Sequence, residues 1–103
     1  MEIAEYEAAA LSTAKYENDE VVWAQLPEEV GELFSLKKRL LRGDMNLVEF
    51  NDNVIKELGD ILWTVTMLSF EHGFSLQQVA EVNMVKLRDR LERGVLHGRG
   101  DNR

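Results

Sequence analysis

The chain has no cysteine and a single proline among 103 residues. Without cysteine there is no disulfide framework and no thiolate chemistry, and a reducing cytoplasm is permitted. With one proline and seven glycines there is little to interrupt regular structure, and the abundance of Ala, Leu, Glu and Lys favours helices. Positive charge is also scarce. Twelve basic residues face 19 acids, for a net charge of −7 and a pI near 4.8. Such a field repels phosphate backbones and disfavours a nucleic-acid partner. Long apolar runs are missing too: Ile61 to Phe70 is the most apolar stretch, and a membrane span needs about 20 residues. The opening Met1-Glu2-Ile3-Ala4-Glu5 is acidic and lacks the basic flank of a signal peptide. The expectation is a soluble, cytoplasmic protein, with residues 1–103 as one domain and 45% hydrophobic residues to build its core.

No stretch alternates with a period of two, and the chain reads as all-α with four helices. The first is expected over Ile3 to Tyr16, where Ala8 to Ala10 allow close packing. Glu17 to Glu20 forms a polar break. The second helix is expected from about Val22, or from Pro27 taken as a first-turn proline, to Leu41. Lys37, Lys38, Arg39 and Arg42 complement its C-terminus, and Gly43 stops it. Asn46 with Glu49, and Ser75 with Gln78, have the spacing of capping boxes that open the third and fourth helices. These should end at Gly73 and at about Glu92, with an irregular tail from Gly94. Between Ile61 and Phe70 only Thr64, Thr66 and Ser69 are polar. A helix apolar nearly all round must be buried nearly all round, and four helices of this size hardly cover every face. A second subunit is the expected cover.

Candidate chemistry lies in the acids. Six acid-x-x-acid pairs occur in the chain, against about three expected from random placement of its acids. Two of the six sit inside helical apolar stripes and share one grammar: Glu29-Val30-Gly31-Glu32 and Glu57-Leu58-Gly59-Asp60. On a helix, residues three apart leave the same face. The glycine inside each pair costs a helix roughly 1 kcal/mol, which marks a close backbone approach. Two helices crossing near Gly31 and Gly59 would gather four carboxylates, which repel one another unless cations sit among them. All-oxygen ligation suits Mg²⁺ or Mn²⁺. A di-iron bundle would need Glu-x-x-His pairs, and the chain has none. On the fourth helix Asn83, Lys86 and Arg90 line one margin of an apolar stripe made by Leu76, Ala80, Met84, Leu87 and Leu91. Cations placed there can meet an anionic ligand. Trp23 and Trp63 read as core residues, with base stacking as the alternative. Arg99-Gly100-Asp101 reads as a chance occurrence of an integrin-type tripeptide.

In this order the motifs resemble those of the MazG-like nucleoside triphosphate pyrophosphohydrolases. These belong to the all-α NTP pyrophosphatase superfamily, with the dimeric dUTPases and dCTP pyrophosphatase. The resemblance rests on Glu29-x-x-Glu32, then 24 residues, Glu57-x-x-Asp60, and Asn83-x-x-Lys86-x-x-x-Arg90. It extends to Glu-Leu-Gly-Asp-Ile-Leu-Trp at 57–63, to the wording of 81–90, to Thr13-Ala14-Lys15-Tyr16 and to the closing Gly100-Asp101-Asn102-Arg103. The resemblance implies a four-helix, bundle-like fold assembled as a homodimer or homotetramer, with the site at a subunit junction. It implies cleavage of a (deoxy)nucleoside triphosphate between the α and β phosphates, giving a nucleoside monophosphate and pyrophosphate. Glu29, Glu32, Glu57 and Asp60 would hold Mg²⁺, Lys86 and Arg90 would contact phosphates, and Asn83 would reach the sugar or a phosphate. Glu32 or Glu29 would take the proton of the attacking water, and Glu28 would stand behind them. Two further readings share this scaffold: an alarmone hydrolase of the ppGpp type, and a non-catalytic oligomerisation module.

Overall fold

Local signals set most helix ends. In the computed structural model, which describes residues 1–101, the chain forms α1 (Ile3–Leu11), α2 (Glu20–Leu41), α3 (Leu47–Glu71) and α4 (Leu76–Arg93), with no strand among the described residues. Asn102 and Arg103 of the closing tetrapeptide lie outside the described residues. Asn46 Oδ1 accepts from the Glu49 N–H at 2.8 Å and opens α3. Ser75 and Gln78 make the reciprocal box at α4: Ser75 Oγ accepts from the Gln78 N–H at 3.0 Å, and Gln78 Oε1 from the Ser75 N–H at 2.8 Å. As expected, α2 and α3 stop just before Gly43 and Gly73, and α4 before Gly94.

Two expectations need correction. The first helix ends at Leu11, five residues before Tyr16. Ser12 Oγ and Thr13 Oγ1 donate to the carbonyls of Ala9 and Ala10 at 2.6 and 2.7 Å, taking over the last turn. Beyond them the chain is held across α3: the Trp63 indole N–H donates to Thr13 Oγ1 at 2.8 Å, and the Tyr16 hydroxyl donates to Glu71 Oε1 at 2.5 Å. The second helix begins at Glu20, close to the expected start at about Val22, so the alternative start fails and Pro27 lies inside the helix rather than in its first turn. Its missing N–H leaves the Trp23 carbonyl without an intrahelical donor.

α2 and α3 are the most extensively packed pair, while α4 packs on α1 and α3 and brings no Cα within 8 Å of α2. The short turn between α2 and α3 makes them a hairpin in which residues equidistant from about Asp44 lie opposite each other. A small core of Ala10, Val22 and Met67 joins α1, α2 and α3, with Tyr6, Leu11, Tyr16, Trp63 and Leu68 around it. Within the run from Ile61, Thr64, Thr66 and Ser69 are buried despite being polar. Their hydroxyls donate to the carbonyls four residues back, at 2.9, 2.7 and 2.7 Å, so burial leaves no donor unmatched.

Of the apolar residues in that run only Met67 is buried; Ile61, Trp63, Val65 and Leu68 are half-buried, and Leu62 and Phe70 are exposed, so one chain covers the run only in part. More apolar surface is uncovered elsewhere: Val82, Val85 and Leu91 on α4 are each more than 60% exposed, and Phe34, Leu41, Leu47, Val48 and Ile55 are exposed on the two arms of the hairpin. A monomeric protein of 11.8 kDa exposes about 5,900 Å², whereas this chain exposes 7680 Å². Its radius of gyration is 16.6 Å, against about 13 Å for a compact domain of this length.

Candidate metal centre

The hairpin register brings the acid pairs together. Glu32 and Glu29 stand 12 and 15 residues before Asp44, and Glu57 and Asp60 stand 13 and 16 after it. Glu29, Glu57 and Asp60 each offer one carboxylate oxygen, and the three oxygens lie within 4.8 Å of one another. A divalent cation with contacts of about 2.1–2.5 Å can bridge such a gap. Among the described residues this group contains no histidine. His72 instead lies at the end of α3, with Nδ1 2.9 Å from the Leu68 carbonyl and its ring edge-on to Trp23. Glu32 is exposed at the rim and is not one of the three. Glu28 is exposed as well.

Two atoms of the cluster are out of place without a cation. Glu29 Oε2 and Glu57 Oε2 are buried and have no hydrogen-bond partner. A buried carboxylate oxygen left unpaired is costly. Burial pushes the Glu29 carboxyl above its ordinary 4.5, and the charges of Glu32, Asp60 and Glu57 push the same way, while the neighbouring Gln25 amide opposes them. The Glu57 carboxyl is raised too, first by burial and then by the charges of Glu32 and Asp60. Oxygen-only donors, orphaned buried oxygens and mutual repulsion together fit a hard divalent cation such as Mg²⁺ or Mn²⁺.

The mid-helix glycines do not mark the crossing. A Cβ added at Gly31 or Gly59 would meet nothing within 4 Å. Each glycine lies one position before the second acid of its pair, about 100° round the helix, so the acid faces meet while the glycines point outward. Nothing within one chain explains their cost to the helices.

Beside the acids, Gln25, Asp60 and Trp63 line a cavity of about 230 Å³. Trp63 is half-buried, edge-on to Tyr16 at 6.4 Å, so it is a core residue with one edge open to the site. Trp23, read as core, is 57% exposed. Gln25 escaped the sequence reading, although it stands four residues before Glu29 and so on the same helix face. Tyr6 also reaches this region: burial raises its phenol, the Thr66 hydroxyl opposes the shift and the Asp60 charge adds to it.

The other half of the expected site is held differently. Asn83 and Lys86 line an apolar groove of about 610 Å³ with Phe74, Leu76, Val79 and Val82. Lys86 Nζ and Arg90 Nη2 lie 2.9 and 3.1 Å from the same oxygen, Asp101 Oδ1. Since no Cα of α4 comes within 8 Å of α2, one chain brings Lys86 and Arg90 together but does not pack α4 closely on the helix that carries Glu29.

The model of the MazG nucleotide pyrophosphohydrolase domain matches residues 17–95, a span that includes Glu29, Glu32, Glu57, Asp60, Asn83, Lys86 and Arg90. The chain is 35% identical to the Gene 37 protein of Mycobacterium phage L5 over 109 residues, covering 95% of this chain and 96% of that protein. No solved structure matches.

Proposed function

Since the chain belongs to the MazG nucleotide pyrophosphohydrolase family, we propose that it hydrolyses (deoxy)nucleoside triphosphates between the α and β phosphates, with Mg²⁺ as cofactor, as a house-cleaning enzyme of the cytoplasmic nucleotide pool. The observation that carries the reading is the three-carboxylate group with two buried, unpartnered oxygens. Glu29, Glu57 and Asp60 would hold the cation, with Glu32 at its margin. A divalent cation bound there would polarise phosphate oxygens and acidify water.

The remaining work falls to the chain's own groups. Water attacks the α phosphorus, the bond from that phosphorus to the bridging oxygen breaks, and pyrophosphate leaves with the electron pair. Glu29 is committed to the buried cluster, so the exposed Glu32 is assigned the proton of the attacking water. Lys86 and Arg90 offset the charge that develops on the departing pyrophosphate. Asn83, on the groove beside Lys86, orients the sugar or a phosphate. Trp63 and Gln25 close the cavity next to the acids.

A homodimer or homotetramer is part of this proposal. Each chain exposes about 1,800 Å² more than a monomer of its mass, an excess that suits an obligate interface. Such an assembly would also bring a second copy of α4 to a carboxylate cluster that its own α4 leaves uncovered. The test is a panel of nucleoside triphosphates with Mg²⁺, scored for pyrophosphate against orthophosphate. The expected product is pyrophosphate with a nucleoside monophosphate, and orthophosphate as the sole phosphorus product rejects the reading.

A further inference from the structure

The tail after α4 turns back along the helix it leaves. Gly94 takes a left-handed backbone, φ +71°, open to glycine at little cost. The Val95 N–H donates to the Arg90 carbonyl at 3.0 Å, and the Gly98 N–H to the Val95 carbonyl at 3.1 Å. Val95 and Leu96 are half-buried. Gly100, at φ +78°, makes the second reversal. It delivers Asp101 to side chains 11 and 15 positions earlier. There Asp101 Oδ1 accepts from Lys86 Nζ at 2.9 Å and from Arg90 Nη2 at 3.1 Å. Arg90 Nη2 also donates to the Asp101 carbonyl at 3.0 Å and the Gly100 carbonyl at 3.5 Å.

The two sides of this contact are unequal. The Arg90 side chain is 6% exposed and that of Lys86 37%, whereas that of Asp101 is 78% exposed. If the contact breaks, Asp101 passes into water at little cost, while Arg90 loses both its anion and the tail backbone that helps to cover it. A partly buried charge that loses its partner is unfavourable, so the tail gives way most readily to another anion. A phosphate chain carries more charge and more acceptor oxygens than one carboxylate. Lys86 is also the member of the pair that opens on the groove.

We propose that the tail is a built-in competitor, in which Asp101 and the Gly100 and Asp101 carbonyls occupy Lys86 and Arg90 until a phosphate-bearing ligand exchanges with them. The proposal rests on the reading of Lys86 and Arg90 as phosphate contacts. It adds that the free protein holds these cations in a self-ligated state, which reduces its apparent affinity by the fraction of molecules with the tail released.

Calorimetric titration with inorganic pyrophosphate in the presence of Mg²⁺ tests it on the parent and on Asp101→Asn, Gly100→Ala and Lys86→Ala. Asp101→Asn removes the competing charge. Gly100→Ala keeps that charge but strains the turn that delivers it. Both should bind pyrophosphate more tightly, by about threefold or more for a contact mostly occupied in the parent, and both should lower KM for a triphosphate. Lys86→Ala should bind more weakly than the parent. If Lys86→Ala weakens binding while Asp101→Asn and Gly100→Ala bind no more tightly than the parent, the competitor idea is overturned and the phosphate reading survives. If Lys86→Ala leaves pyrophosphate binding unchanged, the phosphate reading fails and takes the competitor with it.

Discussion

Replacing Glu57 by glutamine separates a metal ligand from a structural acid, because the two roles give stability changes of opposite sign. Glu57 shares its site with Glu29 and Asp60, with the three oxygens inside 4.8 Å. At that widest separation two unit charges repel by about 1 kcal/mol in bulk water, and by about 3.5 kcal/mol at an effective dielectric of 20. Proton uptake by the raised carboxyls of Glu29 and Glu57 relieves part of this, so the net gain from Glu57→Gln is about 1 kcal/mol. For a domain of this size that is a rise of roughly 4–8 °C in Tm, measured in EDTA at fixed protein concentration. The new amide can also donate to the orphaned Glu29 Oε2. In Mg²⁺ the order reverses. The parent gains about 2.7 kcal/mol at a hundredfold excess over the dissociation constant, and the variant loses most of that gain together with pyrophosphate release. Thermal melts of both proteins in EDTA and in Mg²⁺ decide the matter. A variant that melts lower than the parent in EDTA and keeps the parent's Mg²⁺ shift removes Glu57 from the metal centre.

The same repulsion gives the metal-free protein an unusual pH dependence. Glu29 and Glu57 are raised above 4.5 on folding, so the folded state binds more protons than the unfolded chain. Their contribution is fully present below about pH 4.5 and is lost as pH rises through their folded values. Urea denaturation in EDTA should show this contribution fall as pH rises above 4.5, and Mg²⁺ should abolish the fall; an unchanged or rising contribution contradicts the buried, repelling cluster. On α4, Val82 is 63% exposed, and Val82→Asp should leave parental oligomers partly or wholly dissociated in light scattering at micromolar concentration, with the helical circular dichroism retained in what stays folded. A parent protein that is already a stable 11.8 kDa monomer refutes the oligomer proposal.

What the sequence determined by itself is whatever is encoded within a turn or two of helix. Asn46 and Ser75 open their helices and Gly43, Gly73 and Gly94 close theirs, because caps act on backbone groups a few residues away. The two acid pairs were legible for the same reason, but which of their carboxylates meet was not. Contacts between residues distant in the chain decided the rest. α1 stops early because Thr13 and Tyr16 are tied to Trp63 and Glu71, 50 and 55 positions away. Burial, and not charge spacing, chose Glu29 and Glu57 as the acids with orphaned oxygens. It also covered Thr64, Thr66, Met67 and Ser69 on α3 and left the apolar face of α4 bare. Asp101, in a tripeptide that reads as chance, acquires its place only when two left-handed glycines fold the tail onto Lys86 and Arg90. A periodicity reports which side chains share a helix face, but only the tertiary structure determines what that face meets.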